Sequence, residues 1–243
     1  MQLASAAEIR HAYAGSDTAS SYVARRFTSE LNRLLHEKQV STMNTLFARL
    51  RPRRTLEIAA GPARITRDVI PTGRLVCVDY NEGMIEQGRA ACDAGPCWVR
   101  ADGFRLPFRP GFDLVYSFRF VRHFHEPDRE RLYAEIHRLL VPGGVFVMDA
   151  VNARVSAPLR RANPEEYPIY DKCHDLAELH DELSAAGLEP VQIEPVQKFY
   201  RLQYRSQVLL GPRANWANRL VVRGLERLPR RDGLEWIVTC RRA

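Results

Sequence analysis

Short apolar segments alternate with helix-like segments from residue 55 onward, and this alternation restricts the fold more than any other feature of the sequence. The apolar segments are nearly continuous rather than alternating in polarity, so both faces of their sheet should be covered. The order strand, helix, strand predicts an α/β fold built on a parallel sheet with right-handed crossovers. The segments are TLEIA (55–59), RLVCVDY (74–80), CWVRA (97–101), FDLVYS (112–117) and VFVMDAV (145–151).

Helical segments are predicted between these strands and before them. Residues 82–93 and 127–140 separate strands, and residues 5–51 carry apolar side chains at three- and four-residue spacing, which lines one helix face. We therefore predict an N-terminal helical cap over residues 1–52 and a single globular domain over residues 53–243.

The sequence after the fifth apolar segment predicts additions to the sheet. Residues 152–172 are rich in Arg, Pro and Tyr and are predicted to form an irregular, lid-like segment. A helix over 174–186 and a strand over 188–198 are expected next, followed by a helix over about 213–228 and a last strand over 234–240.

Composition limits the classes of function. The chain of 243 residues carries 36 basic and 29 acidic residues, for a net charge of +7, which suits a small-molecule enzyme as well as a nucleic-acid binder. Its five cysteines are scattered without a C-x-x-C pair, which favours free thiols over a disulfide framework or a metal site. No apolar run is long enough to cross a bilayer, and the first residues do not resemble a secretion signal. A cytoplasmic protein without a metal is expected.

Polar residues follow four of the predicted strands at the point where each ends. Glu57 and Asp79 close the first two strands, Asp102 follows the third, and Ser117 ends the fourth, with His123 shortly after it. In open parallel sheets, ligands bind at the carboxyl ends of the strands, so these side chains are expected to share one crevice.

The glycine pattern of the loop after the first strand indicates which nucleotide this crevice could bind. A dinucleotide site needs G-x-G-x-x-G, and alignment on Gly61 gives Ala59, Gly61 and Arg64. Arg64 stands where a small residue must let the helix pack on the strand. The sequence therefore disfavours NAD.

The motifs over residues 53–151 resemble those of the class I S-adenosylmethionine-dependent methyltransferases, in the small-molecule branch called type 11. They are LEIAAGPAR (56–64), VDYNEGMIEQGR (78–89), DGFRLPF (102–108), FDLVYS and EIHRLLVPGG (135–144). This resemblance implies a Rossmann-like, doubly wound, mostly parallel sheet of seven strands, with S-adenosyl-L-methionine as cofactor.

The resemblance also implies a set of cofactor-binding residues. Glu57 would face the methionine amino group, Gly61 would let backbone approach the methionine part, and Asp79 would hold the ribose. Tyr80 and Met84 would pack near the adenine, and Asp102 would accept a hydrogen bond from the adenine amino group. Four further residues complete the predicted site, namely Ala59, Gly103, Phe104 and Ser117.

Two details of the resemblance generate further expectations. The family usually has glycine where this chain has Ala59 and Ala63, and a methyl group is tolerated there only if φ is negative, so we expect negative φ at both. Helices before the first strand close over the cofactor in the family, which would bring Tyr22 or Arg26 to the methionine carboxylate.

His123 is the candidate catalytic residue, because a histidine commonly follows the fourth strand in this family. It would act as a base or orient the acceptor, and the alternative is that it only packs or caps a short helix. His125 is expected to be more exposed.

The methyl acceptor is predicted only by class. A small organic molecule, methylated on O, N or C, is the main expectation, and Arg122 resembles an arginine of quinone C-methyltransferases. Aromatic residues, Tyr167, Tyr170, Phe199, Tyr200 and Tyr204, would suit a lid over an aromatic acceptor or cover for the sheet edge. Trp216 with Arg219, Arg223 and Arg227 forms either a solvated helix face or a surface for anionic lipid or an acidic substrate.

Two other functions stay open on the sequence alone. RNA methylation fits the basic charge, but the fourth strand lacks the Asn/Asp-Pro-Pro-Tyr run of amino-methylating nucleic-acid enzymes. A non-catalytic protein that binds S-adenosylmethionine is the second alternative.

Overall fold

The computed structural model describes residues 29–92, 95–167 and 169–243. The first 28 residues of the predicted N-terminal cap, including Tyr22 and Arg26, lie outside the described residues. Within the described part no helix is long and apolar enough to span a bilayer.

The first half of the described chain contains the alternation expected from sequence. Helix α1 (Glu30–Leu50) precedes β1 (Arg54–Ile58), and β2 (Arg74–Asp79) is followed by α2 (Glu82–Ala91) and β3 (Cys97–Arg100). Strand β4 (Phe112–Ser117) is followed by a 3₁₀ turn (Val121–His123), α3 (Glu126–Leu139) and β5 (Leu140–Asn152). Ser29 and Asn81 start α1 and α2 by accepting hydrogen bonds from backbone N–H groups of the first turn.

The second half differs from expectation at two places. Residues 152–172, predicted to be irregular, contain α4 (Ala153–Ala162) and a 3₁₀ turn (Pro164–Glu166). The two-residue strand β6 (Cys173–His174) follows them. The Asn152 side chain caps α4 by accepting from the Arg154 N–H, whereas Pro158 inside the helix concealed it in the sequence. After α5 (Leu176–Ala185) and β7 (Leu188–Val196), an additional helix α6 (Tyr200–Leu210) precedes α7 (Asn215–Arg227) and β8 (Glu235–Arg242).

One mixed sheet joins these strands in the order β3-β2-β1-β4-β5-β8-β7, with the two-residue β6 beside β5. Neighbours from β3 through β5 run parallel, and β8 pairs antiparallel with both β5 and β7. The prediction of a doubly wound, mostly parallel, seven-stranded sheet is confirmed, with β6 as a short addition.

Each face of the sheet has its own core, because successive strand residues point to opposite sides. On one face Leu56, Phe146 and Trp236 pack with Ile136 of α3 and Leu183 of α5. On the other face the core includes α1, through Met43 and Phe47, and the β4 residue Tyr116. The carboxyl ends of β1, β2 and β4 are thereby held side by side.

Helix α2 contains a glycine whose packing can be tested. A Cβ at Gly88 would lie 2.3 Å from the ring of Trp98 in β3, whereas a Cβ at Gly224 in α7 would meet nothing within 4 Å. Alanine is favoured over glycine inside helices by about 1 kcal/mol, but overpacking costs about 1–3 kcal/mol. We expect Gly88→Ala to lower the free energy of unfolding by about 1 kcal/mol and Gly224→Ala to raise it by a similar amount, measured by chemical denaturation. Stabilisation by both substitutions would contradict the Gly88–Trp98 contact.

Candidate active site

A cleft opens at the carboxyl ends of the parallel strands. Its walls come from four chain segments, which are the end of β1 with the following loop, the end of β2 with the start of α2, the turn after β3, and the segment after β4. The lining residues include Glu57, Ala59, Gly61, Asp79, Tyr80, Met84, Asp102, Gly103, Phe104, Phe118, Arg119, Phe120, His123 and Phe124. Sequence reasoning therefore located the cleft and all but one of its own candidate residues in it.

Glu57 forms a buried acidic part of the cleft wall. Its Oε2 accepts hydrogen bonds from Thr66 Oγ1 at 2.6 Å and Tyr116 OH at 2.8 Å, and a weak one from Cys77 Sγ at 3.8 Å. Burial raises the pKa of Glu57 to about 7, although the bonds from Thr66 and Tyr116 act in the opposite direction. All three donors are neutral and use the same oxygen. The site therefore has the chemistry to pair with a ligand cation through the rest of the carboxylate.

The loop after β1 is bent by residues in the left-handed region. Ala59, Gly61 and Ala63 have φ values of 56°, 57° and 63°. The expectation of negative φ at the two alanines is wrong. The turn keeps its left-handed conformation with a Cβ at both positions, and a Cβ built on Gly61 would meet nothing within 4 Å. The open space at Gly61 faces the cleft and lets a ligand approach the backbone closely.

Asp79 connects the end of β2 to this loop. Its Oδ2 accepts from the Gly61 N–H at 2.8 Å, and its Oδ1 accepts from the Asn81 N–H at 2.9 Å. Burial raises the pKa of Asp79, and these backbone bonds partly offset that effect. Each oxygen keeps a second lone pair. Asp79 can therefore position the loop and still accept from ligand hydroxyls.

The far side of the cleft is apolar with one acid. Met84 is buried, Tyr80 is 49% exposed, and Phe104 packs edge-to-face on Phe124 with ring centroids 5.0 Å apart. Asp102 Oδ1 accepts from the Phe104 N–H at 3.1 Å, which shapes the turn after β3. A Cβ at Gly103 would come within 3.0 Å of the Phe120 ring. A planar, mostly apolar group fits this side.

Ser117 is the predicted site residue that does not line the cleft. It is buried, and its hydroxyl donates to the Ile58 carbonyl at 2.9 Å. The contact joins the end of β4 to the end of β1. Ser117 therefore supports the strands that carry the site.

His123 lies at the end of the cleft next to an acid. Its Nδ1 is 2.8 Å from Asp171 Oδ1 and 3.0 Å from the carbonyl oxygen of Tyr170. Both neighbours are acceptors, so Nδ1 carries the proton, and Nε2 of the neutral ring is an acceptor. Nε2 is buried and has no hydrogen-bond partner among the described residues. This arrangement suits proton removal from a molecule in the cleft. His125 is exposed, as expected, and its ring lies 4.3 Å from that of Tyr170.

A buried charge cluster surrounds Asp171. Arg122 Nη1 lies 2.9 Å from Glu235 Oε1 and 3.1 Å from Asp149 Oδ2, and its Nε lies 3.0 Å from Asp171 Oδ1. Arg160 Nη2 contacts the other Asp171 oxygen at 2.6 Å. Burial favours the neutral acid, but Arg122 and His123 outweigh it and hold the pKa of Asp171 below its usual range. Asp171 therefore stays ionised, and its charged carboxylate lies against the imidazole, while the hydrogen bond of Nδ1 goes to the Tyr170 carbonyl.

Sequence reasoning missed this carboxylate and one cation. Asp171 is contributed by the segment after α4, and nothing in its local sequence distinguishes it from a surface acid. Arg119 lines the cleft with φ of 60°, and its Nε is buried without a partner in the described part of the chain. The run FRFVRHF (118–124) contained a signal for it, because an arginine between two phenylalanines is unusual in an apolar segment.

Comparison with known proteins agrees with this geometry. Residues 56–148 match the family model described as a methyltransferase domain. The matched segment begins in β1, ends in β5 and contains the cleft residues described above. This part of the chain is therefore similar to a methyltransferase domain.

Curated proteins similar to this chain include several named ubiquinone/menaquinone biosynthesis C-methyltransferase UbiE. The protein of Pseudomonas entomophila (strain L48) is 34% identical over 130 residues, covering 48% of this chain and 47% of the relative. That of Stutzerimonas stutzeri (strain A1501) is 31% identical over 159 residues, covering 60% and 53%. The chain thus spans about half the length of the curated relatives that it matches.

Solved structures share the fold of this chain over nearly its whole length. Magnesium protoporphyrin IX methyltransferase from Synechocystis PCC 6803, solved with bound SAH, has a TM-score of 0.67 at 11% identity and covers 97% of this chain and 98% of its own. A possible histamine N-methyltransferase from Thermotoga maritima has a TM-score of 0.64 at 16% identity, covering 96% and 99%. At these identities the likeness concerns the fold.

The left-handed alanines of the loop provide a stability test. Left-handed φ costs an alanine about 1–2 kcal/mol and costs glycine almost nothing, while glycine loses about 0.5–1 kcal/mol through its flexible unfolded state. We expect Ala59→Gly to raise the free energy of unfolding by about 0.5–1 kcal/mol. The same change at exposed Ala134 in α3 should lower it by about 1 kcal/mol. Denaturant titration of both variants checks the opposite signs, and a loss at both positions would contradict the loop conformation.

Proposed function

We propose that this chain transfers a methyl group from S-adenosylmethionine to a hydroxylated aromatic small molecule, with His123 as the general base. One observation carries the proposal. The same cleft contains a buried carboxylate that accepts hydrogen bonds from neutral donors, Glu57, and an imidazole whose Nε2 has no hydrogen-bond partner among the described residues, His123. A cationic methyl donor and an acidic acceptor match these two groups.

The residues on the donor side fit S-adenosylmethionine. A buried carboxylate with a pKa near 7 favours a ligand ammonium, which would restore its charge. The open space at Gly61 admits a ligand against the backbone, and Asp79 keeps lone pairs for ribose hydroxyls. Met84 and Phe104 offer apolar surface for the base, with Asp102, Gly103 and Tyr80 beside them. When bound, this cofactor supplies an electrophilic methyl group on a sulfonium.

The residues at the other end of the cleft would handle the acceptor. Methyl transfer asks the protein mainly to align the reactants, and a base raises the nucleophilicity of a hydroxylated acceptor. With the cofactor bound, the acceptor oxygen or ring carbon would take the methyl group from the sulfonium, which would leave as a neutral thioether, and His123 Nε2 would accept the proton that the acceptor loses. Asp171, ionised and 2.8 Å from Nδ1, stabilises the imidazolium that results.

An aromatic acceptor is supported by the walls near His123. Phe118, Phe120 and Phe124 line the cleft, and Phe120 packs edge-to-face on Phe124 at 5.0 Å. Arg119 Nε, which has no partner among the described residues, could donate to an acceptor oxygen. The curated relatives named for quinone biosynthesis support a quinol-like ring and methylation at carbon. Methylation at oxygen uses the same proton transfer.

Compartment and domain organisation are part of the proposal. We propose a cytoplasmic protein, which the five free thiols support. We also propose a cap over residues 1–52 and a catalytic domain over residues 53–243. Helix α1 supports the cap, because it packs over the sheet face that carries Tyr116.

A labelling experiment tests the reaction. Methyl-labelled S-adenosylmethionine is incubated with the protein and a panel of quinols with and without an isoprenoid tail, catechols, histamine and RNA. We expect label on a hydroxylated ring, and the methylated atom is then read by NMR. Label on RNA alone would replace the proposal with nucleic-acid methylation. Cofactor binding without labelling of any acceptor would leave the non-catalytic alternative.

The pKa of Glu57 predicts how cofactor binding depends on pH. A group that is half protonated near pH 7 must lose its proton to pair with the ligand ammonium, so binding weakens as pH falls below 7. We expect the dissociation constant for S-adenosylhomocysteine to rise roughly tenfold between about pH 7 and pH 5.5, measured by calorimetry. Glu57→Gln should weaken binding at pH 7 and remove the pH dependence.

A conservative variant separates this pKa effect from loss of structure. Thr66→Val removes a hydrogen bond that lowers the pKa of Glu57, so the midpoint of the pH dependence should move upward. A midpoint that stays in place, or affinity that is flat across this range in the unsubstituted protein, would contradict the role of Glu57.

Substitutions at the His123–Asp171 pair test the base. We expect His123→Ala to lower kcat by about 10²–10⁴-fold, with S-adenosylhomocysteine affinity changed little. Asp171→Asn should lower kcat by a smaller factor with little change in KM, because an uncharged partner stabilises the imidazolium less. His180→Ala, at an exposed histidine of α5, is the matched control.

The pH–rate profile distinguishes positioning by Asp171 from a purely structural role. The acidic limb of the profile should move to lower pH in Asp171→Asn, since loss of the negative charge makes the imidazole less basic. If the pH–rate profile were unchanged and the thermal stability were reduced, Asp171 would have only a structural role, as a partner of Arg122.

A further inference from the structure

Helices α6 and α7 form a hairpin (residues 200–227). Its buried side chains are mostly polar and many of its exposed side chains are apolar, which is the reverse of the usual arrangement. The side chains buried between the helices are mostly polar, namely Gln203, Ser206, Asn218 and Glu226, with Val222. Hydrogen bonds join them in pairs, since Ser206 Oγ donates to Asn218 Oδ1 at 3.0 Å and Gln203 Nε2 donates to Glu226 Oε2 at 3.1 Å. The hairpin thus holds together through hydrogen bonds and places few apolar groups inside.

The apolar residues of the hairpin lie on its outside. Trp216 is 72% exposed and Leu220, one turn later on the same face of α7, is 66% exposed. Each helix contributes exposed apolar side chains, which are Leu202, Tyr204, Val208 and Leu209 on α6 and Trp216, Leu220 and Val221 on α7. Isolated exposed apolar side chains are ordinary, but several of them on one hairpin favour an interaction surface.

Positive charge accompanies these apolar residues. Residues 198–232 contain nine lysines and arginines and two acidic residues, an excess of seven that equals the +7 net charge of the whole chain. Arg201, Arg205, Arg213, Arg219 and Arg227 are exposed on the hairpin. Arg223 is different, because it pairs with Glu30 and Glu37 of α1 at 2.9 and 2.7 Å and attaches α7 to the body. The predicted arginine face is therefore exposed at Arg227, exposed but 3.8 Å from Glu30 at Arg219, and structural at Arg223.

We propose that the α6–α7 hairpin docks on the surface of an anionic lipid bilayer. A helical surface that combines Trp and Leu with several arginines inserts its apolar side chains at the headgroup boundary, where the arginines meet anionic headgroups. Arginine stems also cover apolar surface while their guanidinium groups stay among the headgroups.

Charge and side-chain type distinguish this occupant from two others. Residues 1–28 contain three arginines and two acidic residues, so they do not complement a basic surface. Single-stranded nucleic acid would match the charge, but it binds through stacking on aromatic side chains, whereas most of the apolar residues here are Leu and Val. A lipid surface matches both the charge and the aliphatic side chains.

Vesicle sedimentation of the full chain tests the proposal without cofactor or acceptor, so its outcome is independent of the proposed reaction. We expect strong binding to phosphatidylcholine vesicles that contain phosphatidylglycerol and weak binding to phosphatidylcholine alone. Trp216→Ser with Leu220→Ser should weaken binding at least about tenfold, and Arg205→Gln with Arg227→Gln should weaken it and reduce its salt dependence. Ile70→Ser, at a position 73% exposed elsewhere on the surface, and Arg89→Gln on α2 are the matched controls.

Trp216 fluorescence provides a second readout, with Trp216→Phe used to assign the signal. Its emission should shift to the blue and resist acrylamide only when anionic vesicles are present. Several outcomes would overturn the proposal: no binding to anionic vesicles, or equal binding by the Trp216→Ser, Leu220→Ser variant. The proposal would also be overturned if Trp216 resisted acrylamide in the free protein, because the chain itself or a second copy would then cover it. Binding to RNA that depends on the arginines and not on Trp216 or Leu220 would assign the surface to nucleic acid.

Discussion

Three parts of the chain meet at one oxygen of Glu57. The donors come from the loop after β1, from β2 and from β4, while Glu57 itself belongs to β1. A buried carboxylate is costly unless its hydrogen bonds are made, so this side chain requires its neighbours to keep their register. The adjacent strand ends, the bent loop and the cleft between them all depend on that arrangement.

The buried carboxylates at the two ends of the cleft are stabilised in different ways. On the Glu57 side burial raises the pKa of the acid to about 7, against the hydrogen bonds from the Thr66 and Tyr116 hydroxyls. On the His123 side, Asp171, Asp149 and Glu235 are compensated by Arg122, Arg119 and Arg160. A charge that is already paired is a poor partner for a new ion, whereas an acid near its titration point responds to one. The two ends are therefore specialised for binding and for orientation.

The cleft could be found in the sequence because its signals are local. A continuous apolar run that ends in an acid places that acid at a strand end, and parallel order brings such ends together, as for Glu57 and Asp79. Other features depend on tertiary structure. Asp171 reaches His123 only because α4 and β6 return the chain to the sheet, and Ala59 adopts positive φ because the surrounding loop requires it.

The hairpin illustrates a second reason for missed elements. Periodicity predicts helices whose apolar residues face inward, and α6 has the opposite arrangement, with Gln203 and Ser206 inside. The sequence of α6 has helical periodicity, but the usual interpretation would place its apolar residues inside and its polar residues outside. Helix α4 was hidden by Pro158, which a helix tolerates near its middle only when its neighbours fix the backbone.

The placement of β8 between β5 and β7 has a consequence for biosynthesis. The apolar edge of β5 pairs with residues 235–242, so a nascent chain exposes that edge on the ribosome until they have been translated. An unpaired strand edge of this kind can recruit strands from other chains. Chaperone protection during synthesis would matter more for this protein than for one whose neighbouring strands follow each other in sequence.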